Sequence, residues 1–290
     1  RRGGKSSIEF QSHADNSFMQ KLNDLQDNVM QKMTWSMEIL PQNVTDIRFI
    51  PDFVQEVYIT MIPGSGYSDC IMTAQKIQAS GKQPVPHLTA RTFPGVEELR
   101  ACLSGLQAEG IERVLLIGGG VPKPSGIFSS VMDILETELF AEYGIKSLDF
   151  AGHPEGNPDD PDSDYHLFEK LRWTEKRKIP TRIVTQWSFE AEKTNNWIDG
   201  LRNKGVMNPI HIGIPGPSSV KTLLRFAKVC GVKASTQVLR KQGFNISKLM
   251  LVNKPDKIVS ELQGYDQLHL YPFGGVDKSS EWLIEWQKKF

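Results

Sequence analysis

The sequence predicts an α/β fold, a single (β/α)8 TIM barrel, on three observations. Eight short runs rich in β-branched and aromatic residues recur along the 290 residues. Several of these runs are nearly continuously apolar, as expected of parallel strands buried on both faces. Segments of helical character separate them, and strand-helix alternation repeated around a chain of this length is the pattern of a barrel. The competing doubly wound sheet usually has roughly five to seven strands.

Taken in order, residues 1–16 read as a flexible N-terminal arm and residues 17–290 as the barrel domain. Phe18, Leu22, Leu25, Val29 and Met33 recur at spacings of three and four, which predicts an N-terminal helix over 17–33. Such a helix could cap the barrel bottom or join subunits in a homo-oligomer. The expected strands are 35–40, 57–60, 84–89, 113–118, 147–152, 182–186, 209–214 and 268–274. The expected helices are 68–80, 95–110, 129–143, 163–178, 190–204 and 218–230, with Pro94, Gly95 and Gly110 punctuating the second. Residues 231–266 hold helical segments at 234–241, 246–250 and 255–263 but no clear strand, so extra helices are expected before the last strand. The Pro/Asp-rich stretch 156–164 is expected as a loop on the active face.

Composition narrows the function classes. Lys and Arg number 34 against 34 Asp and Glu, a balance that argues against a broad nucleic-acid surface. An apolar fraction of 39% with 23% charged residues is that of a folded globular protein. No stretch approaches the roughly 18 apolar residues that cross a bilayer, so no membrane partner is expected. Arg1-Arg2-Gly3-Gly4-Lys5 is not followed by an apolar core and does not read as a signal peptide. Cys70, Cys102 and Cys230 are widely spaced and form no CxxC pair, so reduced, buried thiols in a cytoplasmic protein are the expectation.

In a barrel the site forms at the C-terminal ends of the strands. The polar groups expected there are Glu38, Thr60, His87, the glycines Gly118, Gly119 and Gly120, His153 and Glu155, Gln186 and Tyr271. Glu38 stands between apolar neighbours, where desolvation would raise its pKa and make it a general acid; a structural ion pair with a barrel Lys or Arg is the alternative. His87 lies on a strand, where a satisfied core histidine is the usual outcome. Gln186 can donate and accept, which suits reading a heterocycle edge, or can bond a neighbouring loop. His153-Pro154-Glu155 lacks a third ligand, so no metal is expected. The triple glycine fails the GxGxxG spacing and reads as a turn that a ligand approaches closely.

At these residues the chain resembles the methylenetetrahydrofolate reductase family of flavin-dependent barrels. The matching stretches are Ser36-Met37-Glu38; Tyr58-Ile59-Thr60 with the Gly64-Ser65-Gly66 turn; Pro86-His87-Leu88-Thr89; Gly110-Ile111; Gly152-His153-Pro154-Glu155; Thr185-Gln186 with Phe189; and Leu268-His269-Leu270-Tyr271. The resemblance implies that NAD(P)H reduces bound FAD, which passes hydride to 5,10-methylenetetrahydrofolate, giving 5-methyltetrahydrofolate for methionine biosynthesis. It implies Glu38 as the general acid, Gln186, Phe189 and Tyr271 as folate contacts, and Thr60, His87, Gly118, Gly119, Gly120, Phe128, His153, Glu155 and Lys176 as cofactor contacts. Gly118-Gly119-Gly120 replaces the family's Arg-Gly-Asp, leaving neither charge an obvious substitute, and Val220 falls where an aromatic residue stacks. Two further readings follow: a flavin-free folate-dependent enzyme that transfers methyl or oxidises methyltetrahydrofolate in a demethylation pathway, and a non-catalytic folate-binding barrel.

Overall fold

The computed structural model describes residues 34–61, 66–121, 123–229 and 252–289. Seven strands run in chain order: β1 (Trp35–Ile39), β2 (Val54–Ile59), β3 (Gln83–Thr89), β4 (Arg113–Ile117), β5 (Ser147–Gly152), β6 (Thr181–Thr185) and β7 (Ile210–Pro215). A two-residue pair, β8 (Ser218–Ser219) and β9 (Val252–Asn253), precedes β10 (Gln267–Tyr271). The ring closes in the order β1-β10-β7-β6-β5-β4-β3-β2, because β1 pairs in parallel with both β10 and β2. The expected barrel is the observed fold.

Strand periodicity sorts the side chains into two layers. Met37, Ile39, Val57, Ile59, Leu88, Val114, Leu116, Leu148, Phe150, Ile183, Ile210, Ile212, Ile214, Leu268 and Leu270 belong to one large core shared with the helices. The alternate positions meet inside the ring, where Tyr58, Val85, Leu115 and Val184 make a separate small cluster. The rest of that lumen is polar: Ser36, Asp149, His87, His211 and His269 are all buried. An outer face made of Ile, Leu and Val thus supplies the apolar burial, leaving the inner face to hydrogen bonding.

Helices at Tyr67–Ala79, Val96–Ala108, Ser163–Arg177, Ala191–Asn203 and Val220–Val229 agree with the predicted ones to within two residues at either end. The single helix expected over 129–143 is instead two short ones, Val131–Leu135 and Leu139–Glu142, broken at Glu138, whose φ of 58° is left-handed. The last strand ends at Tyr271 rather than 274, since Pro272 has no N–H to continue a ladder. After it comes a helix not anticipated from the sequence, Val276–Gln287, whose Trp282 packs edge-on against Trp35 with ring centroids 5.7 Å apart.

No strand was expected within 231–266, yet β9 pairs antiparallel with β8; two residues are too few for a periodic signal. The helix expected over 255–263 spans Asp256–Glu261. The predicted arm 1–16, the helix over 17–33, the segments 234–241 and 246–250, Gly64-Ser65 and Cys230 lie outside the described residues. Cys70 and Cys102 are buried free thiols, and burial pushes both up to about 12. No helix among the described residues is long and apolar enough to cross a membrane.

Candidate active site at the barrel mouth

Alternation along β1 turns Ser36 and Glu38 into the lumen while Met37 and Ile39 pack outward. Glu38, its side chain 16% exposed, lies at the ring's C-terminal rim. Thr60, just past β2, donates its hydroxyl to Glu38 Oε1 at 2.7 Å. Two imidazoles face the other oxygen: His87 Nε2 of β3 at 3.7 Å and His269 Nε2 of β10 at 3.6 Å from Oε2. Behind the second, Ser36 Oγ and His269 Nδ1 are 2.9 Å apart.

This arrangement corrects the expectation for Glu38. Burial by itself raises the carboxyl pKa, but the His269 side chain, the nearby His87 and the Thr60 hydroxyl together leave it below the ordinary value. The partners are imidazoles and a hydroxyl, not the Lys or Arg of the alternative reading. His87 is pushed down to about 4 by burial, so it is neutral near pH 7.

Beneath this rim the lumen is a hydrogen-bonded floor. Tyr58 Oη donates to Asp149 Oδ2 at 2.8 Å, and the Tyr58 ring meets the His269 ring edge-on at 4.8 Å. Burial pushes the Asp149 carboxyl up to about 7, against the pull of Arg113. Lower still, Glu56 takes Arg182 Nη1 at 2.6 Å and lies 3.5 Å from Arg113 Nη1.

Across the mouth, β6, β7 and β10 present the other expected residues. Tyr271 Oη donates to the Thr185 carbonyl at 3.0 Å, and its ring meets that of His269 at 4.9 Å. Gly213 of β7 is required there, because a Cβ would come within 2.4 Å of the Thr185 carbonyl and 2.7 Å of the Tyr271 ring. Gln186 follows β6; its side-chain oxygen accepts from the Trp187 N–H at 3.1 Å, leaving the NH2 to donate to a ligand. Glu155 accepts from Ser188 Oγ at 2.6 Å and from the Phe189 N–H at 3.3 Å, so it ties down the loop that carries Gln186. Phe189 packs edge-on against Trp187. Val220 begins a helix whose Phe226 stacks on Phe273 at 4.3 Å, so aromatic rings reach this side of the mouth from other positions.

At the β4 and β5 ends three expectations change. The strand-four glycines do have a cation beside them: Arg91, after β3, puts Nη1 3.5 Å from the Gly119 carbonyl and donates Nε to the Ser129 carbonyl at 2.8 Å. Gly119, at φ 99°, packs so closely that a Cβ would meet Thr89 Cγ2 at 2.2 Å, whereas Gly118 and Gly120 face open space. Lys176, expected as a cofactor contact, does not reach the mouth. The helix Ser163–Arg177 starts at the mouth and runs away from it, so Lys176 is exposed at its far end. Lys170 sits 5.6 Å above the Phe150 ring and is pushed down to about 8 by burial; burial and this lysine together hold the adjacent His153 at about 4. Phe128 is not a mouth residue at all: it is 3% exposed within the outer core.

The sequence reading did not single out Ser36, Arg91 and His269, which the structure places beside the expected residues. For two of them a signal existed, since Ser36 and His269 lie two residues from Glu38 and Tyr271 on the same strands and must share their face. Among the described residues no group of His, Cys, Asp or Glu is arranged to hold a metal ion.

Comparison with known proteins places this geometry. The family profile described as methylenetetrahydrofolate reductase matches residues 31–248. Curated relatives include methylenetetrahydrofolate reductase (NADH) 1 of Arabidopsis thaliana, 25% identical over 216 residues, and its namesake in Zea mays, 25% identical over 222 residues. Each alignment covers 67% of this chain but 36% of the relative, so the chain spans about a third of their length. Among solved structures, an uncharacterised Clostridium thermocellum protein that binds two copies of 5-methyl-5,6,7,8-tetrahydrofolic acid aligns with a TM-score of 0.56 at 12% identity, covering 92% of this chain and 99% of that one. At that identity the likeness is one of fold.

Proposed function

Because the chain belongs to the methylenetetrahydrofolate reductase family, we propose that it reduces 5,10-methylenetetrahydrofolate to 5-methyltetrahydrofolate with NAD(P)H, FAD serving as the carrier. The observation that supports this most directly is the Glu38 carboxylate at the mouth, held by Thr60 and faced by two imidazoles. In this reading Glu38 gives its proton to N10 of the folate, the methylene bridge opens to the N5 iminium, and hydride addition to that carbon yields the methyl group. Glu38 is ionised in the ligand-free protein near pH 7. It therefore takes up its proton as the folate covers it, when loss of the remaining water favours the neutral acid. The Gln186 amide and the Tyr271 ring orient the pterin, and Phe189 lines the same side.

The residues present fit a flavin by one structural test. Nothing stands within 4 Å of where a Cβ on Gly118 or Gly120 would lie, beside Arg91, so the backbone there is open to close approach by a ligand. Thr60 and His87 would hold the ring, and Lys170, His153 and Arg91 would meet its phosphates; Glu155 acts by fixing the neighbouring loop. When bound, FAD supplies the hydride taken from NAD(P)H. A second reading, a flavin-free folate enzyme that transfers methyl or oxidises methyltetrahydrofolate, is favoured by one feature: no carboxylate stands at positions 118–120.

Purified protein separates these readings. The reductase reading expects flavin absorbance and methylenetetrahydrofolate-dependent NADH or NADPH oxidation. Glu38→Gln should lower turnover by about 10²–10⁴-fold while folate still binds. Unchanged turnover in that variant would remove Glu38 as the acid, and failure to bind any folate would remove the function.

A further inference from the structure

We propose that Ser36 and His269 form a positioning pair, in which the serine hydroxyl fixes the imidazole so that its Nε2–H faces the Glu38 carboxylate. The inference rests on the reading of Glu38 as the acid and adds two residues that act through it. Ser36 and His269 are both completely buried, and their side chains meet at 2.9 Å. An ionised carboxylate only accepts hydrogen bonds, so the favoured tautomer carries its proton on Nε2 and takes the Ser36 hydroxyl proton at Nδ1. The opposite tautomer would set a lone pair against an anion in a low-dielectric lumen.

At 3.6 Å the His269 Nε2 has no hydrogen-bond partner among the described residues, and its nearest charged neighbour is Glu38 Oε2. When Glu38 has passed its proton to the folate, this N–H stabilises the carboxylate left behind. Other groups face the same carboxylate. Thr60 bonds Oε1 from the end of β2, and His87 approaches Oε2 from β3. Behind His269 stand Tyr58 of β2 with its Asp149 partner on β5, and His211 of β7 acts on it electrostatically. None of these sets the His269 tautomer through Nδ1; the Ser36 hydroxyl does.

The test reads Glu38 directly. In ligand-free protein the infrared band of the protonated Glu38 carboxyl is followed against pH, the band being identified by its loss in Glu38→Gln. His269→Leu and Ser36→Ala should move the midpoint upward by about one pH unit. His269→Gln, which keeps an N–H at similar reach, and Ser36→Thr, which keeps the hydroxyl, should restore it. In turnover, kcat/KM falls as pH rises through the Glu38 pKa, so the same two variants should shift that fall to higher pH. A midpoint unmoved in both His269→Leu and Ser36→Ala overturns the pairing. If His269→Leu does not fold, the Ser36→Ala and Ser36→Thr pair decides alone. The infrared titration needs no turnover, so an inactive protein whose midpoints shift as described refutes the reductase reading and leaves the pairing standing.

Discussion

Asp149→Asn should change how stability depends on pH. Asp149 is fully buried, accepts the Tyr58 hydroxyl at 2.8 Å, and has its other oxygen without a partner among the described residues. Burial lifts its carboxyl from 3.8 to about 7. A carboxyl whose folded pKa lies above its unfolded one binds more protons in the native state. Its contribution is therefore complete below about pH 4 and is lost as pH rises to about 7. At ~1.4 kcal/mol per pH unit, that displacement corresponds to ~4 kcal/mol. Asparagine keeps an oxygen to accept the Tyr58 hydroxyl but does not titrate. Its buried NH2 adds a penalty that is the same at every pH. Urea unfolding at a series of pH values from 4 to 8 should show the variant gaining on the parent by ~1.4 kcal/mol per unit up to about pH 7, then levelling. A difference that stays constant over the whole series would refute a native-state carboxyl with a raised pKa.

Two further substitutions test the frame of the site. Gly119→Ala puts a Cβ 2.2 Å from Thr89 Cγ2 at a φ of 99°, and should lower stability by about 1–3 kcal/mol in thermal or urea melts, with Thr89→Ser in the same chain recovering part of the loss. Glu56→Gln leaves the Arg182 and Arg113 guanidiniums in the lower lumen without their carboxylate, and should cost about 1.5–3 kcal/mol at pH 7 by the same measurement. A variant as stable as the parent would show that solvent already satisfies those arginines.

Much of this molecule was legible before folding was considered. The strands announce themselves because their outward positions, such as Ile210, Ile212 and Ile214, must be apolar against the helices, and the ring then places Glu38, Thr60, His87, Gln186 and Tyr271 at one rim. Phe128 was misplaced because an aromatic residue near a loop looks the same in sequence whether it lines a mouth or fills the outer core. Lys176 was misplaced because it lies in the last turn of a 15-residue helix that leaves the mouth, and at about 1.5 Å per residue such a helix carries its far end to the other side of the barrel.

By itself, the sequence determined the fold class, the rim residues and the family, because these depend on local periodicity and short motifs that do not require knowing what lies across the ring. Only the tertiary structure decided which groups meet. Ser36 and His269 are 233 positions apart, Tyr58 and Asp149 are 91 apart, and each pair touches because ring closure and strand register set them opposite one another. The state of Glu38 depended on that as well. Its flanking residues along the chain argue for a raised pKa, but the histidines and threonine brought to it by three other segments outweigh burial. Electrostatics acts through distance in space, and in a closed barrel the nearest charge comes from another strand.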